Sequence, residues 1–187
     1  MNKENCVLAG VDEVGIGALA GPVVAAAVIL NPDLPIEGIT DSKKITEKKR
    51  KSLSKEIENF SFDWAIGQAS IDEIDQLNIL NASHLAMQRA VSALTCRPTL
   101  ILVDGNKVPE FSVKAESIIK GDEKIMAIGA ASIIAKVFRD ELMKNLAVTY
   151  PSYGFEKHKG YPTRHHVERL QIEGPCQLHR KSFAPVK

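Results

Sequence analysis

Two adjacent carboxylates, Asp12 and Glu13, interrupt the apolar run Cys6-Val-Leu-Ala-Gly-Val11 and lead straight into Val14-Gly15-Ile16-Gly17. Desolvating unpaired carboxylates costs several kcal/mol each, so such a pair needs cations or a strand end beside a cleft. Far downstream, Thr99-Leu-Ile-Leu-Val-Asp104-Gly105 repeats the pattern of an apolar run ending in an acid and a glycine. A further acid, Asp122, follows Ile118-Ile119-Lys120-Gly121. Apolar strands that each deliver a carboxylate near their ends fit an all-oxygen site for hard divalent cations.

Each piece also has a plain structural reading. Asp104-Gly105-Asn106 is a good strand-ending turn, and for that stretch alone a turn outranks a ligand. Asp122-Glu123 suits a helix N-terminus. The spacing Gly15-x-Gly17-x-x-x-Gly21 suggests a dinucleotide fingerprint, but that motif should open a helix, and here Pro22-Val23-Val24 opens a strand. Alone the glycines suit a plain hairpin turn; standing directly after two acids, they can also form a loop whose backbone N–H groups approach a sugar or phosphate. His158-Lys159-Gly160-Tyr161-Pro162 joins phosphate-friendly donors to an aromatic, with a loop anchor as the bland alternative for Tyr161. His165-His166 has no metal-ligand partner at sensible spacing and is expected at the surface, whereas Met87 and Phe138 are expected in the core.

Length and composition suit one domain, spanning all 187 residues, with about 150–187 forming a C-terminal segment that contacts substrate. The N-terminus lacks a secretory layout, and Val23–Leu30 is too short to cross a bilayer. Three widely spaced cysteines (Cys6, Cys96 and Cys176) read as reduced thiols of a cytoplasmic protein. The net charge of +1 conceals a partition. Ser42–Lys55 holds seven Lys/Arg against one Glu, and Tyr150–Lys187 holds seven against three. An acidic centre between basic flanks can hold metal ions between phosphate-gripping surfaces, although a lone lysine run is more often a solvated helix face.

Pattern and capping place strands at Val7–Val14, Gly21–Leu30, Phe60–Ala69, Thr99–Asp104 and Ala115–Ile119. A helix is expected from the Thr46 cap to about Asn59, with Leu53 and Ile57 inward, and a helical turn from Ser70 through Ile74. Longer helices are expected at Leu77–Leu94, with Leu80, His84, Met87 and Val91 on one face, and at Glu123–Val148. One short helix follows at about Thr163–Glu173. That order argues a mixed-sheet α/β domain with helices on both faces.

Asp12-Glu13-Val14-Gly15-x-Gly17-x-x-Ala20-Gly21-Pro22-Val23 resembles the opening signature of the ribonuclease HII family. The resemblance continues through Asp41-Ser42-Lys43-Lys44, Leu77-Asn78-Ile79-Leu80, Val103-Asp104-Gly105-Asn106, Lys120-Gly121-Asp122, Ala131-Ser132-Ile133-Ile134-Ala135-Lys136-Val137 and His158-Lys159-Gly160-Tyr161-Pro162-Thr163. It covers about Val7 to Lys187 and implies the α/β ribonuclease H-like fold, a five-stranded mixed sheet flanked by helices with a small C-terminal helical segment. Because the first acid falls at residue 12, the extra N-terminal domain of the related HIII type is not expected.

The resemblance implies four metal-binding acids, Asp12, Glu13, Asp104 and Asp122, holding two Mn²⁺ or Mg²⁺ ions, with Asp12 bridging. It puts the loop that senses the ribose 2′-OH at Gly15, Ile16 and Gly17, and the sugar-packing tyrosine at Tyr161. Ile16 stands where the family usually has arginine, so one cationic contact is missing; Lys43, read as a further substrate contact, could compensate. The implied enzyme is a monomeric endonuclease that hydrolyses the RNA strand of RNA–DNA hybrids. It also cuts 5′ of single ribonucleotides in duplex DNA, leaving 3′-OH and 5′-phosphate, as in repair and replication. Two rivals are a DNA nuclease of the same broad fold and a non-catalytic hybrid-binding module; retention of all four acids argues against the second.

Overall fold

In the computed structural model, residues 7–186 are described; Cys6 and Lys187 lie outside them. The first two strands, β1 (Leu8–Val14) and β2 (Val23–Ile29), pair antiparallel, and α1 (Glu47–Phe60) leads into β3 (Asp63–Ala69). Helices α2 (Ile71–Leu77) and α3 (Ile79–Ala93) follow, then β4 (Leu100–Asp104) and β5 (Lys114–Ile118). A short α4 (Gly121–Lys124) precedes α5 (Met126–Thr149). Beyond it lie a 3₁₀ turn at Pro151–Tyr153, α6 (Phe155–His158) and α7 (Arg164–Glu173). The sheet order is β3-β2-β1-β4-β5, with β1, β4 and β5 parallel to one another. This is the mixed five-stranded sheet expected from sequence.

The sheet is buried on both sides, which is why β2 is apolar throughout. On one face Ala9, Val11, Val23 and Ala25 meet Ala82, Ala86, Met87 and Ala90 of α3. On the other, Val24, Ala26 and Val28 meet Leu53 and Ile57 of α1 and Ala130, Ile133 and Ile134 of α5. Two glycines set how closely the helices approach. A Cβ on Gly10 would stand 2.1 Å from the Ala127 carbonyl carbon, and one on Gly67 would stand 2.1 Å from the Ala86 carbonyl oxygen. Helix backbone therefore lies against strand backbone on each face.

That approach corrects the expected inner face of α3. Its buried residues are Ala82, Ser83, Ala86, Met87 and Ala90, while Leu80 is exposed, because only small side chains fit above Gly67. Two helix boundaries also move. Asn78, at a φ of 70°, ends α2 and caps α3 by accepting from Asn81 N–H at 3.1 Å. The expected Glu123–Val148 helix breaks at Ile125, whose extended backbone separates α4 from α5. Phe138 is exposed rather than core, and His166 is buried rather than at the surface. Cys96 and Cys176 are free thiols.

The expected caps hold: Thr46 accepts from Lys49 N–H, and Ser70 with Glu73 forms a capping box. The basic run is only partly available to a partner. Lys51 pairs with Glu47 and Glu141, Lys44 pairs with Glu123, and Arg50 is buried, donating to the Ser42 and Ile45 carbonyls. Lys48, Lys49 and Lys55 remain exposed. No helix among the described residues is long and apolar enough to cross a membrane.

Gly10→Ala is expected to destabilise the fold by about 1–3 kcal/mol or more, because the new methyl meets helix backbone that cannot give way locally. Gly17→Ala, whose Cβ would meet nothing within 4 Å, serves as the control. A matching shift in urea midpoint for both variants would overturn the close-approach argument.

Candidate active site

Asp12 and Asp104 meet because β1 and β4 run parallel, with Val11 opposite Val103. Each acid is the next residue along its strand, so the two carboxylates leave adjacent strand ends together. Gly105 N–H donates to the Ile118 carbonyl at 3.1 Å, and Gly121 N–H donates to Asp104 Oδ1 at 2.7 Å. These bonds turn the chain after β5 so that α4 brings Asp122 back to the same point. Asp12, Asp104 and Asp122 each offer a carboxylate oxygen within 4.8 Å of the others.

Glu13 lies outside that trio. Successive strand residues point to opposite faces, so it leaves β1 on the other side from Asp12. Its charge still couples to Asp104 and Asp122, and its Oε2 is buried with no hydrogen-bond partner among the described residues. None of the four acids forms an ion pair among the described residues. Burial, then the Glu13 charge, pushes the Asp12 carboxyl well above its ordinary value. Burial and Asp104 push Glu13 up to about 7, and burial likewise raises Asp122. Converging carboxylates with an orphaned buried oxygen fit hard divalent cations, which take oxygen ligands and would relieve the repulsion.

Around the acids lie residues that sequence reasoning did not single out for a role. Ser132 of α5 hydrogen-bonds to the Asp12 carboxylate, and its Oγ is 2.9 Å from Ser42 Oγ. That joins the acids to the loop carrying Lys43, whose exposed side chain puts its charge near Glu13 and Asp122. A serine in the apolar Gly129–Ala135 stretch was the available signal. Two turns further along α5, Arg139 is fully buried and donates to the carbonyls of Pro22, Ala20 and Lys159 at 2.9, 3.0 and 2.9 Å. Arg180, also fully buried, donates to the Gly21 and Ile16 carbonyls at 2.9 Å each. Arg180 sits in a basic tail where nothing in the sequence separates a buried arginine from a solvated one.

The two guanidiniums staple the glycine loop from behind. Gly15, at a φ of 100°, has no room for a side chain, since a Cβ would stand 2.3 Å from Arg139 Nε. The Ile16 side chain is 38% exposed, and the N–H groups of Ile16 and Gly17 take part in none of the loop's backbone hydrogen bonds. The Tyr161 loop is tied to the same place, with Leu19 N–H donating to the Gly160 carbonyl at 2.8 Å. The Tyr161 ring is half-buried, with Arg139 Cζ 5.4 Å and Lys136 Nζ 5.7 Å from its centroid. Ser132 and Arg139 are seven residues apart on α5, about 10 Å along the axis.

The ribonuclease HII family profile matches residues 9–186. The chain belongs to that family. Ribonuclease HII from a Janthinobacterium strain is 55% identical over 97% of this chain and 86% of its own length. The Shewanella halifaxensis protein of that name is 58% identical over 96% of this chain and 88% of its own. Among solved structures, ribonuclease H2 from Pyrococcus horikoshii superposes with a TM-score of 0.78 at 27% identity, covering 96% of this chain and 94% of that one. Family membership makes the chain a ribonuclease H-type endoribonuclease, an enzyme of RNA–DNA hybrids.

The raised carboxyls give a pH dependence of defined sign. Between about 4.5 and about 7 the folded protein binds more protons at Glu13 than the unfolded chain does, so folding stability falls as pH rises through that window. Metal-free protein should therefore melt at higher temperature near pH 5.5 than near pH 8, and saturating Mn²⁺ should restore the loss at the higher pH. Glu13→Gln should reduce the metal-free trend, leaving the part that Asp12 and Asp122 contribute. An unchanged slope in that variant would remove Glu13 as its source.

Proposed function

We propose that this enzyme cuts on the 5′ side of ribonucleotides, both in RNA–DNA hybrids and singly embedded in duplex DNA, leaving 3′-OH and 5′-phosphate. The observation that carries the reading is the convergence of Asp12, Asp104 and Asp122 within 4.8 Å, with unpaired Glu13 beside them, next to a loop of free backbone donors. The three aspartates, joined by Glu13, would hold two ions of Mg²⁺ or Mn²⁺. When bound, such ions supply the positive charge that activates an attacking water and stabilises a leaving oxygen.

The chain's own residues position and select. With the 3′-oxygen as leaving group the 2′-OH is not the nucleophile, and no side-chain nucleophile is required. Specificity therefore rests on recognising the 2′-OH, the group that separates RNA from DNA. Ile16 and Gly17 present backbone N–H groups for it, and Gly15 keeps the loop against Arg139. Tyr161, beside that loop, is suited to pack on the neighbouring sugar. Lys43 is suited to a phosphate next to the acids. A monomer suffices for all of these contacts.

The test is a duplex carrying one ribonucleotide, incubated with Mg²⁺ or Mn²⁺ beside an all-DNA control. Cleavage 5′ of the ribonucleotide alone is expected; equal cutting of both duplexes would replace this reading with a DNA nuclease. Asp104→Asn should abolish cleavage while leaving the fold and duplex binding largely intact, because the amide is isosteric but neutral. Near-parental turnover in that variant would take Asp104 out of the site.

Ile16 offers a sharper test. Its half-open side chain leaves room for an arginine, and a charge-assisted phosphate contact is worth about 1.5–3 kcal/mol, or roughly tenfold and upward. Ile16→Arg is expected to raise kcat/KM about tenfold at low salt without loss of ribonucleotide specificity. No change would mean that Lys43 already supplies the contact.

A further inference from the structure

Three histidines of the C-terminal segment are packed into one array that the proposed chemistry does not use. His166 and His179 are 0% and 1% exposed, with their Nε2 atoms 3.1 Å apart. His166 Nδ1 lies 2.9 Å from the Tyr161 carbonyl, and His179 Nδ1 accepts from Cys176 N–H at 3.0 Å. The His158 ring stacks on His166 with centroids 4.4 Å apart, accepts from Gly160 N–H at Nδ1 and reaches the Tyr153 carbonyl at 2.8 Å through Nε2.

These partners fix every tautomer. A carbonyl can only accept, so His166 carries its proton on Nδ1 and presents a lone pair at Nε2. A backbone N–H can only donate, so His179 keeps its lone pair at Nδ1 and donates from Nε2 to His166. The same logic gives His158 a proton on Nε2. All three rings are neutral, in keeping with the burial that lowers each one and holds His166 down to about 4. A directed chain of bonds therefore runs from the Cys176 main chain through His179 and His166 to the carbonyl of Tyr161. It ends on a loop whose shape needs support, since Lys159 and Gly160 both take positive φ, at 53° and 83°.

We propose that His166 and His179 are positioning residues for Tyr161, setting where its main chain, and so its ring, stands relative to the Gly15–Gly17 loop. His179 is itself bridged to Ala20 of the segment that follows that loop, so the array gauges one recognition element against the other. The inference rests on the proposed role of Tyr161 as a sugar contact.

Side-chain amides separate the two ends of the array. His166→Asn keeps a donor where Nδ1 stood but gives up the bond to His179, and should raise KM only about two- to threefold on the single-ribonucleotide duplex. His166→Gln keeps a group for His179 where Nε2 stood and abandons the Tyr161 carbonyl. It should raise KM about five- to tenfold with little change in kcat or in Mn²⁺ affinity. If His166→Gln fails to fold, His179→Asn carries the test: it keeps the Cys176 contact, loses the donor to His166, and should raise KM about two- to threefold, as His166→Asn does by breaking the same bond. Tyr161→Ala is measured in parallel. An unchanged KM there would end the sugar-contact reading, and this inference with it. A raised KM for Tyr161→Ala with parental KM for His166→Gln, or for His179→Asn where that variant carries the test, would overturn the positioning role alone. Equal loss in the Asn and Gln variants would reduce His166 to a packing role and overturn it as well.

Discussion

The peptide between Ala127 and Ile128 rests directly on Gly10, and much of the site depends on that contact. With no side chain between strand and helix, α5 lies at backbone distance from β1. Its residues then fall opposite the strand's functional end in a fixed phase. Ser132 reaches Asp12, and two turns on Arg139 fills the space that Gly15 leaves open. Lys136, one turn from Ser132, stands with Arg139 by the Tyr161 ring. An alanine stripe on α5 (Ala127, Ala130, Ala131 and Ala135) keeps the helix down along its length. The break at Ile125 belongs to the same arrangement, since it lets α4 carry Asp122 to the acids while α5 departs along the sheet.

How far this was legible in the sequence follows from the range of the forces involved. Strand periodicity, Thr46 and Ser70 caps, and acids ending apolar runs are local signals, and they placed the five strands and the principal helices within a few residues. On the inner face of α3, Met87 is buried and Val91 packs against the core as expected, but Leu80 is exposed, because Gly67 on a different strand selects the small residues Ala82, Ala86 and Ala90. Phe138 fits helical spacing yet lies on the outward side of α5, between the buried Ala135 and Arg139. His166 was assigned to the surface because no metal partner stood at ligand spacing. Its actual partners are a carbonyl five residues back and an imidazole thirteen residues on.

Of the candidate site, the four acids were visible because buried charge is costly and therefore conspicuous in an apolar run. The arginines were not, since a guanidinium satisfied by main-chain carbonyls leaves no complementary residue in the sequence to find. Arg139 and Arg180 reach five carbonyls between them and form no ion pair among the described residues. They are fixed by the shape of the glycine loop, which exists only once β1, α5 and the C-terminal segment are assembled.

The two halves of the site are thereby opposite in charge and alike in being unbalanced. Among the described residues, the carboxylates raised by burial and by one another form no ion pair on one side, and on the other the two buried guanidiniums form none and Arg180 Nη2 has no hydrogen-bond partner, although Lys43, Asp140 and Asp75 place charges near them. Either half alone would be a poor use of buried charge, because desolvation is not repaid by pairing. On the proposed reading a single polyanion relieves both, with metal ions between its phosphate and the acids and with the guanidinium charge lying behind the loop that meets the next nucleotide. Ile16 then becomes intelligible as a substitution the site can tolerate. Its carbonyl, not its side chain, receives Arg180, so positive charge persists beneath position 16 whatever side chain stands above it. What the isoleucine gives up on that reading is reach toward a phosphate, and the geometry of the loop proposed to read the sugar is left as the arginines hold it.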